Sequence, residues 1–275
     1  MSFLDRKNKD LLTADRRLIE SYLIEMDDAG FAQSTKARRL SSIKQFYRFA
    51  YEESYLSTNP THEIRGPKPE KKLPKTLSQE EVGRLLEAAG AHGRSQSEIL
   101  RNICLMQLLY ATGMRVSELV GLPVAHARGN PQMLLVKGKG NKERMVPLSE
   151  PARLALRAWL HIRDEAETER TAKRLPPSKF LFPTRSKEGH FTRIAFYLMI
   201  KELAVKAGVD PKKVTPHTLR HAFATHLLVG GADLRAIQMM LGHADIATTE
   251  IYTHVADKHL RKLVFEHHPL ASERA

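Results

Sequence analysis

Apolar residues recur at three- and four-residue intervals along most of the chain, a period that predicts a mainly helical protein. From Thr13 to about Asp28 the stripe is Leu18, Ile19, Tyr22, Leu23 and Met26, and Gly30 is placed to stop that helix. In the next segment, STKARRLSSIKQFYRFAYEE, Ser34 is the predicted N-cap and Leu40, Ile43, Phe46, Tyr47 and Ala50 turn inward. Residues 66–75, GPKPEKKLPK, are rich in proline and lysine with Leu73 the one large apolar side chain, so they predict an extended, exposed linker. Beyond it, Ser78 and Glu81 form a capping-box pattern before VGRLLEAA. A longer helix from about Ser97 to Thr112 is apolar around most of its circumference, as a central core helix is. Gly113 ends it, and MRVSELVGL opens a short helix carrying Arg115 and Glu118.

The period changes once. Residues 133–148, MLLVKGKGNKERMVPL, place two β-branched and aliphatic runs around a glycine-rich turn at Gly138 to Asn141, which predicts a β-hairpin with Lys137, Lys139 and Lys142 at or near its tip. Helices resume at roughly 150–170 and 191–207, joined by a proline-rich stretch from Pro176 to Pro183. Thr215 is then the predicted cap of a helix with Pro216 in its first position. Gly230 and Gly231 break that helix, Asp233 caps LRAIQMML, and Gly242 sits where a left-handed C-terminal residue belongs, immediately before His243. Asp245 is placed to cap a further segment that carries Tyr252. The expected organisation is a small helical domain over 1–66, a linker over 67–75 and a larger domain over 76–275.

Charge narrows the function. Forty-four Lys and Arg against 31 Asp and Glu leave +13, spread along the whole chain, so nucleic acid is the first partner to suspect. On the second helix Lys36, Arg38, Arg39, Lys44 and Arg48 crowd the outward side, and the linker adds Lys68, Lys71 and Lys72. These are the candidate phosphate-contacting residues, although a merely solvated basic face is the plainer reading. The single cysteine, Cys104, lies in the apolar run ILRNICLMQLLY, which rules out an intrachain disulfide and marks a buried structural thiol. The first residues lack an apolar signal core, and no window approaches the roughly 18 uninterrupted apolar residues of a membrane span. A cytoplasmic protein without a membrane partner is expected.

The candidate chemistry gathers late in the chain. His217 and Arg220, three residues apart in the first turn of a helix, share a face at its positive end, which is an arrangement for binding an anion. Joined to Arg115, the hairpin lysine, His243 and Tyr252, they suit metal-free phosphoryl transfer through a covalent tyrosine intermediate. Two guanidiniums can hold the nonbridging oxygens. The tyrosine attacks, a histidine takes its proton, and a lysine protonates the departing oxygen. GKGNKE lacks the spacing of a Walker A loop, and the histidines come without cysteine partners, an HExxH motif or adjacent carboxylates, so no metal or other cofactor is expected. Each residue alone also has a structural reading: Arg115 as the ion-pair partner of Glu118, His243 as a helix C-cap, Tyr252 as a half-buried ring. Their combination points to chemistry.

In order, TGMRVSEL, KGKGNKERMVPL, HTLRHAFATHLL and LGHADIATTEIYTH resemble the tyrosine site-specific recombinases of the phage integrase family, most closely the bacterial Xer group. The likeness runs over roughly residues 34–270, and IYTHVADKHLRKLVFEHHPLA looks more like the XerD than the XerC branch. It implies a mainly helical catalytic domain with a small antiparallel hairpin, preceded by a helical DNA-binding domain. It also implies Arg115 and Arg220 as phosphate clamps, Lys139 as general acid, His217 as general base or phosphate ligand, His243 as supporting donor and Tyr252 as nucleophile. The implied activity cuts and rejoins double-stranded DNA at a specific site through a 3′-phosphotyrosine link, without ATP or metal, in chromosome dimer resolution and segregation at cell division. Implied partners are a paralogous XerC-like recombinase, further copies of the chain in a tetramer on two DNA sites with Lys258 to Pro269 packing on a neighbour, and a septal DNA translocase. Family members carry about four helices before the linker where this chain has room for two, so the N-terminal clamp is expected to be truncated, a late start codon being the favoured origin. The same chemistry would serve a phage, transposon or integron integrase, and a shortened clamp would leave a DNA-binding relative with impaired catalysis.

Overall fold

The computed structural model describes residues 3–66, 76–138, 140, 142–242 and 266–269. The chain divides into two compact units, Met1–Leu73 and Pro74–Ala275. Both are helical, and the larger contains a two-stranded antiparallel sheet.

In the smaller unit, the short α1 (Phe3–Arg6) precedes α2 (Arg16–Asp28) and α3 (Gln33–Glu52). The α2 start lies later than the periodicity suggests. Asp15 caps it by accepting from the Leu18 amide, while Thr13 belongs to a turn in which Asp10 accepts from the Leu12 and Thr13 amides. Gly30, at φ 71°, ends the hairpin arm as expected. Helix α3 begins at Gln33 behind Ala32 with no side-chain cap, so Ser34 falls inside the first turn and is not the N-cap. The core is Ala14, Ile19, Leu40, Tyr47 and Ile64, with the Tyr47 hydroxyl donating 2.8 Å to the Leu11 carbonyl. Lys36 departs from the expected outward basic face. It is buried on α3 and paired with Asp27 of α2, so a charge read as solvated ties the two helices together.

The larger unit is organised around α5 (Gln96–Thr112). Its residues Cys104, Leu105, Met106, Leu108, Leu109 and Tyr110 are all buried, each aliphatic contributing about 2 kcal/mol on burial. Ser95 caps it by accepting from the Glu98 amide, and Gly113 ends it in the left-handed conformation at φ 57°. Around α5 pack α4 (Gln79–Gly90), α6 (Val116–Val120), α7 (Glu150–Ala172) and α9 (Pro216–Val229). Helix α4 carries the complete Ser78–Glu81 capping box. A 3-10 turn at Val124–Ala127 leads into β1 (Met133–Lys137) and β2 (Glu143–Pro147), paired in the register Met133–Pro147 to Lys137–Glu143. Helix α8 (Arg193–Lys206) is capped by Thr192, and α10 (Leu234–Leu241) starts at Asp233 and ends at Gly242, φ 67°. The Trp159 indole N–H donates 2.9 Å to the Leu181 carbonyl while its ring stacks on Phe182, which fixes α7 over the proline-rich stretch. Among the described residues no helix is long and apolar enough to cross a membrane.

Candidate active site

Two helix ends and one arginine define the centre of the larger unit. Thr215 caps α9 by accepting from the Thr218 amide, and Pro216 occupies the first turn. One helical turn on, Arg220 sends Nη1 2.6 Å to the Gly113 carbonyl, at the end of α5, and Nη2 2.6 Å to the Leu241 carbonyl, at the end of α10. Such terminal carbonyls lack intrahelical donors and carry the negative ends of their helix dipoles, so a guanidinium fork suits them. Burial pushes the Arg220 pKa down to about 10, with Arg115 and Arg144 adding repulsion against attraction from Glu118. The group still carries its charge at neutral pH.

Arg115 stands just before α6. Its amide donates 2.7 Å to Glu118 Oε2 and its Nη1 donates 3.0 Å to Oε1, so the structural reading of this residue is realised. Glu118 is shared, however. From β2, Arg144 donates through Nη1 to Oε1 at 3.1 Å and through Nη2 to Oε2 at 2.7 Å, and its Nε donates 2.8 Å to the Met240 carbonyl of α10. Burial would raise the Glu118 pKa, but the hydrogen bonds from Arg144 and from the Arg115 amide outweigh it and hold the carboxyl below its usual range. One ionised carboxylate therefore sits among three guanidiniums, and the cluster keeps an excess of positive charge of the kind that attracts an anion. The side chain of Arg115 stays 41% exposed while Glu118 is 5% exposed. The cluster thus presents a guanidinium to solvent over a buried counter-charge.

The other expected site residues fall differently. His217 is exposed on the first turn of α9, on the same helix as Arg220. Lys139, His243 and Tyr252 lie outside the described residues, as do Lys68, Lys71 and Lys72. Their chain neighbours are placed: Gly138 donates 2.8 Å to the Lys142 carbonyl at the base of the hairpin turn, and Gly242 ends α10. Lys137 pairs with Glu143 at 2.8 Å across the strands instead of standing free at the tip. In the smaller unit Arg38 is exposed, Arg39 donates 2.7 Å to the Tyr22 hydroxyl and lies over the Phe31 ring, and Arg48 pairs with Glu52. Lys44 and Arg48 line a cleft with Gln45, Asn59 and His62, together with Ala37 and Leu40. Among the described residues no group of three or more His, Cys, Asp or Glu is arranged to hold a metal ion.

Sequence reasoning missed Arg144. A signal existed, because Arg144 shares a face of β2 with Val146, two residues on, and stands opposite Val136, both fully buried. A cation at an inward strand position requires a buried acceptor, and Glu118 is that acceptor.

The chain is similar in sequence and in fold to known proteins. Residues 75–259 match the phage integrase family and residues 1–54 match the phage integrase N-terminal SAM-like domain. The chain is 49% identical to tyrosine recombinase XerD of Brucella suis biovar 1 (strain 1330), over 98% of this chain and 87% of that one. It is 46% identical to tyrosine recombinase XerD of Caulobacter vibrioides (strain ATCC 19089 / CIP 103742 / CB 15), over 99% and 87%. Among solved structures, the XerH site-specific recombinase bound to palindromic difH substrate in a post-cleavage complex is similar, with a TM-score of 0.67 and 27% identity over 92% of this chain and 72% of that one. With a matching helical architecture, an arginine cluster at its centre and near full-length similarity, the chain belongs to the phage integrase family of tyrosine recombinases.

Proposed function

We propose that this chain is a site-specific DNA recombinase of the XerD type that breaks and rejoins DNA through Tyr252. The phenolic oxygen attacks the scissile phosphorus, the P–O5′ bond breaks, and a 3′-phosphotyrosine link forms while the electron pair leaves on the 5′ oxygen. Lys139 supplies the proton that this oxygen takes up, His217 accepts the proton from the phenol, and His243 donates to the phosphate. Arg115 and Arg220 hold the nonbridging oxygens, where charge spreads in the transition state. The observation that carries this reading is the cluster at the ends of α5 and α10, where Arg220 holds the Gly113 and Leu241 carbonyls close to the Arg115–Glu118 pair. Because the link conserves the energy of the broken bond, a second 5′-hydroxyl reverses the step without ATP.

Residues 1–66, within the smaller unit, are the DNA-binding domain in this reading, joined by a linker at 67–75 to a catalytic domain at 76–275. Arg38, Arg39, Lys44 and Arg48 meet phosphates from α3, joined by Lys68, Lys71 and Lys72 of the linker, whereas Lys36 is committed to Asp27. The similarity to XerD proteins supports a cytoplasmic role in chromosome dimer resolution, with a paralogous XerC-like recombinase and further copies of this chain in a tetramer on two sites, and a septal DNA translocase as a further partner. A nicked suicide substrate tests the chemistry. The wild-type chain is expected to accumulate a covalent DNA adduct that Tyr252→Phe abolishes, and an adduct that survives the substitution removes Tyr252 from the mechanism.

A further inference from the structure

We infer that Arg144 is a positioning residue for the anion site, the cation that sets where Arg115, the hairpin and the end of α10 stand relative to one another. The inference rests on the reading of Arg115 and Arg220 as phosphate clamps. Arg144 reaches three elements at once: it belongs to β2, grips both oxygens of Glu118 on α6, and caps α10 through the Met240 carbonyl. Its side chain is 11% exposed, so these bonds form in a low-dielectric setting that strengthens them.

Two glycines show how closely the backbone is fitted to it. A Cβ on Gly242 would lie 3.3 Å from Arg144 Cδ and Nη1 and 3.4 Å from Cζ, and a Cβ on Gly138 would lie 3.4 Å from Nη1. Gly138 and Gly242 immediately precede Lys139 and His243 in sequence. The guanidinium plane therefore packs against the backbone at the two points where the chain leaves for those residues.

Only arginine meets these demands. Its planar fork offers a parallel pair of N–H groups for a carboxylate with Nε left for a third acceptor, whereas a lysine ammonium is a single point donor on a flexible stem. Arg144 also balances Glu118. Without it the carboxylate would pair with Arg115 alone and draw that guanidinium inward, away from an incoming phosphate.

The test compares the wild-type chain, Arg144→Lys, Glu118→Asp and a control, Arg128→Lys, whose pair with Asp164 lies on the surface. Three quantities are read: the dissociation constant for recombination-site DNA, the first-order rate of adduct formation at saturating protein, and the rise in thermal midpoint caused by inorganic phosphate. A shift of about 1 Å in a catalytic group costs about 100-fold in rate, so Arg144→Lys is expected to lower the adduct rate about 100-fold while DNA affinity changes less than about threefold. The phosphate-dependent rise should shrink in Arg144→Lys and persist in Arg128→Lys. Glu118→Asp keeps the charge but withdraws the carboxylate by one methylene, and it should reproduce both losses even if Arg144→Lys folds poorly. An adduct rate within threefold of wild type, or an unchanged phosphate response in both variants, overturns the inference. A wild-type chain that forms no adduct overturns the recombinase chemistry instead, and the phosphate response then decides the role of Arg144 by itself.

Discussion

Gly113 is the residue on which the centre of the larger unit turns. Its φ of 57° lies in the left-handed region, a Cβ there would overlap the Phe223 ring and press on Leu241, and its carbonyl accepts from Arg220. Gly113→Ala therefore combines backbone strain of about 1–2 kcal/mol with overpacking of about 1–3 kcal/mol. Urea unfolding should show a loss of about 2–5 kcal/mol, and the adduct rate of the folded fraction should fall as the Arg220 anchor moves. At this scale the sequence exposed what local periodicity records. Gly113 and Gly242 were legible as C-caps because each follows a helical stripe, and Arg115 and Arg220 stood out beside them. Arg144 did not, because its importance arises from Met240, 96 residues away, and from Glu118, 26 residues away.

Helices pack on α5 in a way that encloses three buried polar rings. The His226 Nε2–H donates 2.9 Å to the Leu77 carbonyl, which leaves Nδ1 to accept 2.8 Å from the Tyr110 hydroxyl. Beside them His268 donates 3.1 Å to the Tyr110 carbonyl and packs against the Tyr110 and Phe223 rings, so residues 266–269, expected to pack on a neighbouring copy, are instead anchored through His268 in the core of their own chain. Burial pushes the His268 pKa down to about 4, opposed by its bond to Tyr110 and reinforced by His226, and burial lowers His226 as well. An unfolded chain takes up these protons near pH 6.5, before the folded one does, so stability present above pH 6.5 is lost as pH falls towards 4. For His268 the loss amounts to about 3 kcal/mol. Unfolding free energy measured at intervals from pH 7 to 4 should fall less steeply in His268→Gln, and an equal slope would assign the titration to other groups. Long elements with a regular stripe, α2, α5 and α9 among them, were legible from the sequence. The four-residue α1 and the 3-10 turn at Val124–Ala127 were not, because neither is long enough to display a period.

Across the whole molecule, a net charge of +13 makes association with DNA depend on the release of counterions. Arg38 and Arg48 lie exposed on α3, so Arg38→Ala and Arg48→Ala should each reduce the slope of log affinity against log salt by about 1, equally for site and non-site DNA. Adduct formation at saturating protein should be unaffected. Lys36→Ala should act otherwise, since it strands Asp27 and loosens α2 against α3. The mainly helical class and the hairpin were legible in the chain because their patterns are local, and the arginine cluster was legible only as an expected convergence. That convergence has a consequence for synthesis. Arg220 joins a carbonyl 107 residues upstream to one 21 residues downstream, and Arg144 waits for Met240. Contacts of such separation form late and slowly. A nascent chain holds its basic helices long before Leu241 has been made, so it acquires affinity for DNA well ahead of the geometry that would let it cut.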